Sequence, residues 1–291
     1  MEEKFEEITI MDERYPAQLR LLESKAPRRL WCIGDVSLLN KRCVAVVGSR
    51  KPSRYGKWVA FGAGKLLARN GIVTVSGMAM GCDEEAHRGA IKGGGKTIAV
   101  LGCGIDICYP KRSAGLHADI IENGLIITEF PPGTPPLPAN FPQRNRIISG
   151  LSDITVVAEA ALSSGSLITA GYAAEQGREV MAAPGNIANP LAIGCNKLIQ
   201  DGVTPIVCLE DIIRALGIES KAEPSEISAE LGKDEKIIYE IVRKNSEVSA
   251  DIIAEECGKR VSEINSLVSI MEIKGFLITR MGKISVAKKV Q

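Results

Sequence analysis

Short apolar runs alternate with longer amphipathic stretches through most of this chain. From Lys41 onward the runs are CVAVVG (43–48), GIVTVSG (71–77), KTIAVLG (96–102), GLIITE (124–129), DITVVA (153–158) and REVMAA (178–183), with a weaker seventh, TPIVC (204–208). Near-continuous apolar runs of this length suit strands buried on both faces. Helical periodicity between them predicts helices near 56–70, 83–93, 113–123, 166–177, 190–200 and 209–217. Strands separated by helices imply crossover units and a parallel sheet with helices on both sides.

The rhythm stops at the polar stretch GIESKAEPSEISAELGKD (217–234), whose composition predicts a linker. Beyond it lie three helical patterns, 235–244, 249–257 and 260–275, and then FLITRMGKISVAKK, a hairpin turning at Met281–Lys283. Three helices closed by a two-stranded wing form the winged-helix arrangement. The expected organisation is a short N-terminal segment (1–39), a large α/β domain (40–217), a linker (218–234) and a small winged-helix domain (235–291).

Composition narrows the function classes. The chain has 291 residues, 45% hydrophobic and 24% charged, the range of an ordinary folded protein rather than a disordered or fibrous one. No apolar run reaches the roughly 18 residues needed to span a bilayer. The acidic start MEEKFEEITI lacks the basic and apolar regions of a signal peptide, so a cytoplasmic location is expected. The eight cysteines form no CxxC pair, the closest being Cys103 and Cys108, and there are two histidines. No metal site is therefore expected.

Net charge is +1, but its distribution matters more. From Val36 to Cys82 there is no Asp or Glu, while Arg50, Lys51, Arg54, Lys57 and further basic residues fall in that stretch. A second acid-free window, Phe130 to Ser152, holds Arg144 and Arg146. Basic windows in a near-neutral chain can present a local anion-binding surface. The alternative is that these charges scatter over solvated helix faces.

Four motifs follow predicted strands. The first strand runs into Gly48, Ser49, Arg50, Lys51 and Arg54, with a helix starting near Tyr55. Backbone N–H groups at a helix start attract anions, and the carboxyl end of a strand is where such sheets bind ligands. The spacing is neither GxGxxG nor a P-loop, so no dinucleotide or other cofactor is expected. The second strand ends in SGMAMGCDEEAH. Asp83 and His87 share a helix face there, and read as a first-turn residue with its local partner rather than an acid/base couple. The fourth strand enters a proline-rich stretch that delivers Phe141, Arg144, Asn145 and Arg146 onto a short helix. A ring beside guanidinium groups is what single-stranded nucleic acid needs, the ring for a base and the arginines for phosphates. A packed phenylalanine with salt-bridged arginines is the competing view. After the fifth strand, Ser163, Ser164, Gly165 and Ser166 precede another helix and offer a second anion seat. A catalytic serine lacks support, because GxSxG is absent.

Six segments together resemble the DprA/Smf family, the DNA-processing proteins of bacteria: GSRKPSRYG, SGMAMGCDEEAH, GCGIDICYP, FPQRNRIISGLS, SGSLITAGYAAEQGREVMAAPG and GCNKLIQDG. They occur in order between about Tyr15 and Leu216. The resemblance implies an extended Rossmann-like fold and a homodimer without catalytic activity. It also implies binding and shielding of single-stranded DNA, with loading of the RecA recombinase during natural transformation. Gly48, Ser49 and Arg50 match the family's GSR loop, Phe141, Arg144, Asn145 and Arg146 its FPxRNR element, and Gly165–Thr169 its SGSLIT helix start. Met80 stands where the family commonly has arginine, which removes one positive charge. Two alternatives remain: a nucleotide or nucleoside-phosphate hydrolase of the related LOG type, and a regulator acting through its winged helix.

Overall fold

The computed structural model describes residues 5–218, 231–245, 247–280 and 282–287. The chain divides into two compact units, 1–221 and 222–291. Most of the expected linker lies outside the described residues, as do Met281 at the hairpin turn and the basic end Lys288 and Lys289.

The first unit is built on nine strands: β1 (Glu6–Thr9), β2 (Arg29–Gly34), β3 (Cys43–Val47), β4 (Val73–Ser76), β5 (Thr97–Val100), β6 (Leu125–Thr128), β7 (Ile154–Val157), β8 (Glu179–Ala182) and β9 (Thr204–Pro205). Their order in the sheet is β1-β2-β6-β5-β4-β3-β7-β8-β9. All seven strands from β3 to β9 run parallel, as the apolar runs predict, and the weakest run is a strand of only two residues. The N-terminal segment also joins this sheet. Strand β2 pairs antiparallel with β6, and β1 antiparallel with β2.

Burial along β3 shows why these strands carry no polar face. Cys43, Ala45 and Val47 enter one core cluster while Val44 and Val46 enter another. Helices α5 (Asn140–Gly150), α6 (Ser166–Glu175) and α7 (Ile193–Gln200) cover the first side, together with the short α1 (Ala17–Arg20). The second side is covered by α2 (Arg54–Arg69), α3 (Cys82–Lys92), α4 (Ala114–Asn123) and α8 (Glu210–Ala215). The result is a doubly wound, Rossmann-like layer structure. No helix among the described residues is long and apolar enough to cross a membrane.

The second unit has its own core. Helices α9 (Lys233–Asn245), α10 (Ala250–Cys257) and α11 (Val261–Ile273) pack Ile238, Val242, Ile253, Ile264, Val268 and Met271 together. Strands β10 (Leu277–Arg280) and β11 (Lys283–Val286) pair antiparallel, and Val248 adds a single bridge to Ile284. Helix α9 starts inside the stretch expected to be linker, with Asp234 and Glu235 in its first turn, where the helix dipole favours acids.

Candidate nucleic-acid interface

Strands β3 and β7 are neighbours, but the chain leaves β3 toward β4 on one side and β7 toward β8 on the other. Loops at their carboxyl ends therefore diverge and leave a crevice, the usual ligand position in such a sheet. The β3 loop is fastened by Glu159, which follows β7 and is 2% exposed. Its carboxylate accepts from the Ser53 N–H at 2.7 Å and the Ser53 hydroxyl at 2.6 Å, and its carbonyl from the Ser49 N–H at 2.7 Å. Ser53 in turn caps α2 by accepting the Gly56 N–H at 3.2 Å. Sequence reasoning passed over Glu159; its one signal is a carboxylate directly after an apolar strand.

The crevice has a volume of about 480 Å³. Ten of the twelve expected site residues line it: Gly48, Ser49, Arg50 and Lys51 after β3, Phe141, Arg144 and Asn145 on α5, and Ser164, Gly165 and Ser166 at the start of α6. Arg50 lies with its guanidinium carbon 5.6 Å from the centroid of the half-buried Phe141 ring, so a cation and a π-face share one wall. Gly102 makes room for that ring, since a Cβ there would stand 2.8 Å from Phe141 Cδ1. Asn145 Nδ2 donates to the Gly165 carbonyl at 3.3 Å, tying α5 to the α6 start. The hydroxyls of Ser164 and Ser166 lie 2.7 Å apart and bond each other.

Arg144 departs from the phosphate-contact role expected of it. It is 3% exposed and donates to the carbonyls of Gly77 (2.8 Å) and Val100. Asp83 lies beside it, accepting N–H bonds from Gly77 at 3.1 Å and Ala79 at 3.3 Å. Burial pushes the Asp83 carboxyl up to about 6 against the pull of Arg144, and lowers the Arg144 guanidinium to about 10. Both are charged at neutral pH. His87 is not the partner of Asp83: its Nδ1 meets the Thr97 hydroxyl at 2.7 Å, and burial, assisted by the Arg144 charge, holds its pKa down at about 3.

Arg146 and Arg54 lie outside the crevice lining. Arg146 faces the other way, in a bidentate pair with Glu129 at 2.5 and 2.7 Å, and also donates to the Lys25 carbonyl. Arg54 is exposed at the start of α2. Ala79 rather than Met80 lines the crevice, so the missing arginine at Met80 concerns its surroundings.

Comparison with known proteins fixes the lineage. The profile of the family described as DNA recombination-mediator protein A matches residues 6–217. The chain belongs to this family. Protein Smf of Escherichia coli is 39% identical over 278 residues, covering 91% of this chain and 73% of the relative. The DNA processing protein DprA of Bacillus subtilis is 42% identical over 210 residues, covering 72% and 70%. Among family structures, DprA of Streptococcus pneumoniae superposes with a TM-score of 0.69 at 43% identity, covering 72% of this chain and 74% of the other. DNA processing protein A of Helicobacter pylori, described for its single-stranded DNA binding mode, gives a TM-score of 0.67 at 31% identity, covering 74% and 98%. The family match stops at the end of the first unit, so the crevice lies wholly within it.

Proposed function

We propose that this protein binds single-stranded DNA across the carboxyl edge of its large sheet, as a homodimer and without catalysing a reaction, and helps load the RecA recombinase onto the bound strand. One observation carries the binding mode: the Arg50 guanidinium beside the Phe141 ring at the β3–β7 crevice. Stacking on a ring and neutralisation of phosphate are the two needs of a single strand, and neither depends on base identity. Phe141 takes a base. Arg50 and Lys51 take phosphates, with Arg54 further along the exposed start of α2. Gly48, Ser49 and the Ser164–Ser166 turn let backbone approach the strand. Arg144, Asn145 and Arg146 hold α5 in place. The H. pylori relative's described single-stranded DNA binding supports the same ligand here. RecA loading and the homodimer are carried by the family resemblance.

The non-catalytic view rests on what surrounds the two serines. Their hydroxyls bond each other, and no histidine lines the crevice among the described residues. Asp83, its carboxylate, is occupied by backbone N–H groups. The C-terminal unit fits a winged helix whose third helix, VSEINSLVSIMEI, carries two glutamates and no lysine or arginine, which favours a protein contact over duplex DNA. The test is one titration series of the full protein against single-stranded DNA, duplex DNA and nucleoside monophosphates, with hydrolysis products monitored. Preference for the single strand without turnover is expected; release of free base would instead establish the hydrolase.

A further inference from the structure

The loop after β5 carries an aromatic residue that the crevice does not include. Tyr109 is 45% exposed, and its ring centroid lies 5.6 Å from that of Phe141 with the planes tilted by 37°. Arg50, Phe141 and Tyr109 therefore form a continuous series, in which each ring or guanidinium meets the next at 5.6 Å. A tyrosine kept for packing looks different here: Tyr15 is 1% exposed and donates its hydroxyl to the Pro27 carbonyl at 2.7 Å. The Tyr109 hydroxyl has no hydrogen-bond partner among the described residues.

Two residues further on, Lys111 is exposed at the start of a short helical turn and has no carboxylate partner among the described residues. Its neighbour Arg112 faces Glu84 at 3.7 Å and is partly neutralised. The acids nearby are already held. Glu84 also accepts from the Ser113 hydroxyl at 2.5 Å, and Asp106 accepts the Gly133 N–H at 2.8 and 3.0 Å. The last bond, with Gly104 N–H donating to the Thr134 carbonyl at 2.8 Å, fixes the loop against the proline-rich segment. Ring and ammonium are thus presented on an ordered support, which lowers the ordering cost of binding.

We propose that Tyr109 and Lys111 carry the bound single strand beyond the crevice, Tyr109 as a second stacking face for a base and Lys111 as a phosphate contact. This rests on the single-strand function proposed above for the crevice. Charge and chemistry select the same ligand at both places: an exposed ring next to an unpaired cation suits a base and its phosphate. The strand then runs from the β3 loop across Phe141 to the β5 loop, along the carboxyl edge of three neighbouring strands, β3, β4 and β5.

The experiment uses the full chain and fluorescently labelled oligothymidylates, one short enough to fill only the crevice and one several times longer, with affinity read by anisotropy at two salt concentrations. Tyr109→Leu should weaken binding of the long oligonucleotide roughly tenfold, the scale of one base–aromatic stack, and leave the short one unchanged. Tyr109→Phe should retain full affinity, and Lys111→Gln should lower the salt slope for the long oligonucleotide by about one. Arg50→Ala reports on the crevice itself. If Arg50→Ala loses binding of both lengths while Tyr109→Leu and Lys111→Gln bind the long one like the native protein, the extension is wrong and the crevice stands. If the native protein binds neither length, the crevice function fails and the extension with it. A lowered melting temperature for Tyr109→Leu, with unchanged affinity per folded molecule, also overturns the proposal.

Discussion

Arg144 and Asp83 lie side by side in the floor of the crevice, so close that a Cβ on Gly77 would stand 2.5 Å from Arg144 Nη2 and 2.8 Å from Asp83 Oδ2. Glycine at 77 is what allows the pair to meet there. Each charge compensates the other, and both are further held by backbone groups of the 77–79 turn. Arg144 ties α5 to the carboxyl ends of β4 and β5 through the Gly77 and Val100 carbonyls, and so sets where α5 presents Phe141.

Arg144→Met therefore removes the buried cation whose charge offsets that of Asp83 and leaves the carboxylate uncompensated. Such losses cost about 3–5 kcal/mol. A large drop in the denaturation midpoint is expected, measured by urea unfolding followed by circular dichroism. Unchanged stability with lost DNA binding would return Arg144 to the role of a direct phosphate contact.

The contrast among Arg50, Arg144 and Arg146 shows where sequence stops being informative. Their charge is the same, and all lie in acid-free windows. Only packing separates them: Arg50 lines the crevice beside a ring, Arg144 is buried in its floor against backbone carbonyls, and Arg146 is spent on Glu129. The parallel strands were legible because burial on both faces writes itself as unbroken apolar runs, as in Cys43–Val47. Strand β1 was not, because its sequence EEIT buries only Ile8. The crevice rim was legible because a parallel sheet brings all its carboxyl-end loops to one edge. Glu159 was not, since its partners Ser49 and Ser53 are distant in sequence and near only in the fold.

Arg50→Ala should weaken single-strand binding without changing the melting temperature, because its side chain faces the crevice rather than the core. Removing one phosphate contact lowers the salt slope by roughly one. Arg146→Ala should do the reverse, lowering stability through the loss of the Glu129 pair and leaving the slope intact. Equal salt slopes for Arg50→Ala and the native protein would take Arg50 out of the site.

Gly102→Ala probes Phe141 without deleting it. The added methyl would stand 2.8 Å from Phe141 Cδ1, so the ring must move. Affinity for single-stranded DNA should fall by an amount approaching that of Phe141→Ala, about 1–3 kcal/mol. Full affinity in Gly102→Ala together with a large loss in Phe141→Ala would mean that ring position is not what binding reads.

Glu159→Gln tests whether the β3 loop is held by charge. The carboxylate accepts two bonds from Ser53, whereas an amide has a single accepting oxygen and turns N–H donors toward that serine. Hydrogen bonds to charged groups contribute about 1.5–3 kcal/mol each, so the α2 start should loosen. Faster amide exchange over residues 49–56, along with weaker DNA binding, is the expected pair of results. Native exchange rates there would show that the loop holds its shape without the charge.

His87 gives the protein a specific response to acid. Its folded-state pKa is about 3, against about 6.5 for an exposed histidine, so it stays neutral in the folded protein where the unfolded chain takes up a proton. That contribution to stability is complete above about pH 6.5 and is lost as pH falls toward 3. Asp83 acts with the opposite sign. Its carboxyl is raised to about 6, so between about pH 4 and 6 the folded protein keeps a proton that the unfolded chain releases, and acid favours folding. In the native protein the two nearly cancel through that window. His87→Asn removes only the first, while an amide can still reach the Thr97 hydroxyl from the position of Nδ1. The variant should then lose less stability on acidification than the native protein, by about 1.4 kcal/mol per pH unit between roughly pH 5.5 and 4.5. Urea midpoints across that range measure the difference directly. Parallel pH profiles for the two proteins would show that His87 is already protonated in the folded state, and that the buried site takes up the charge.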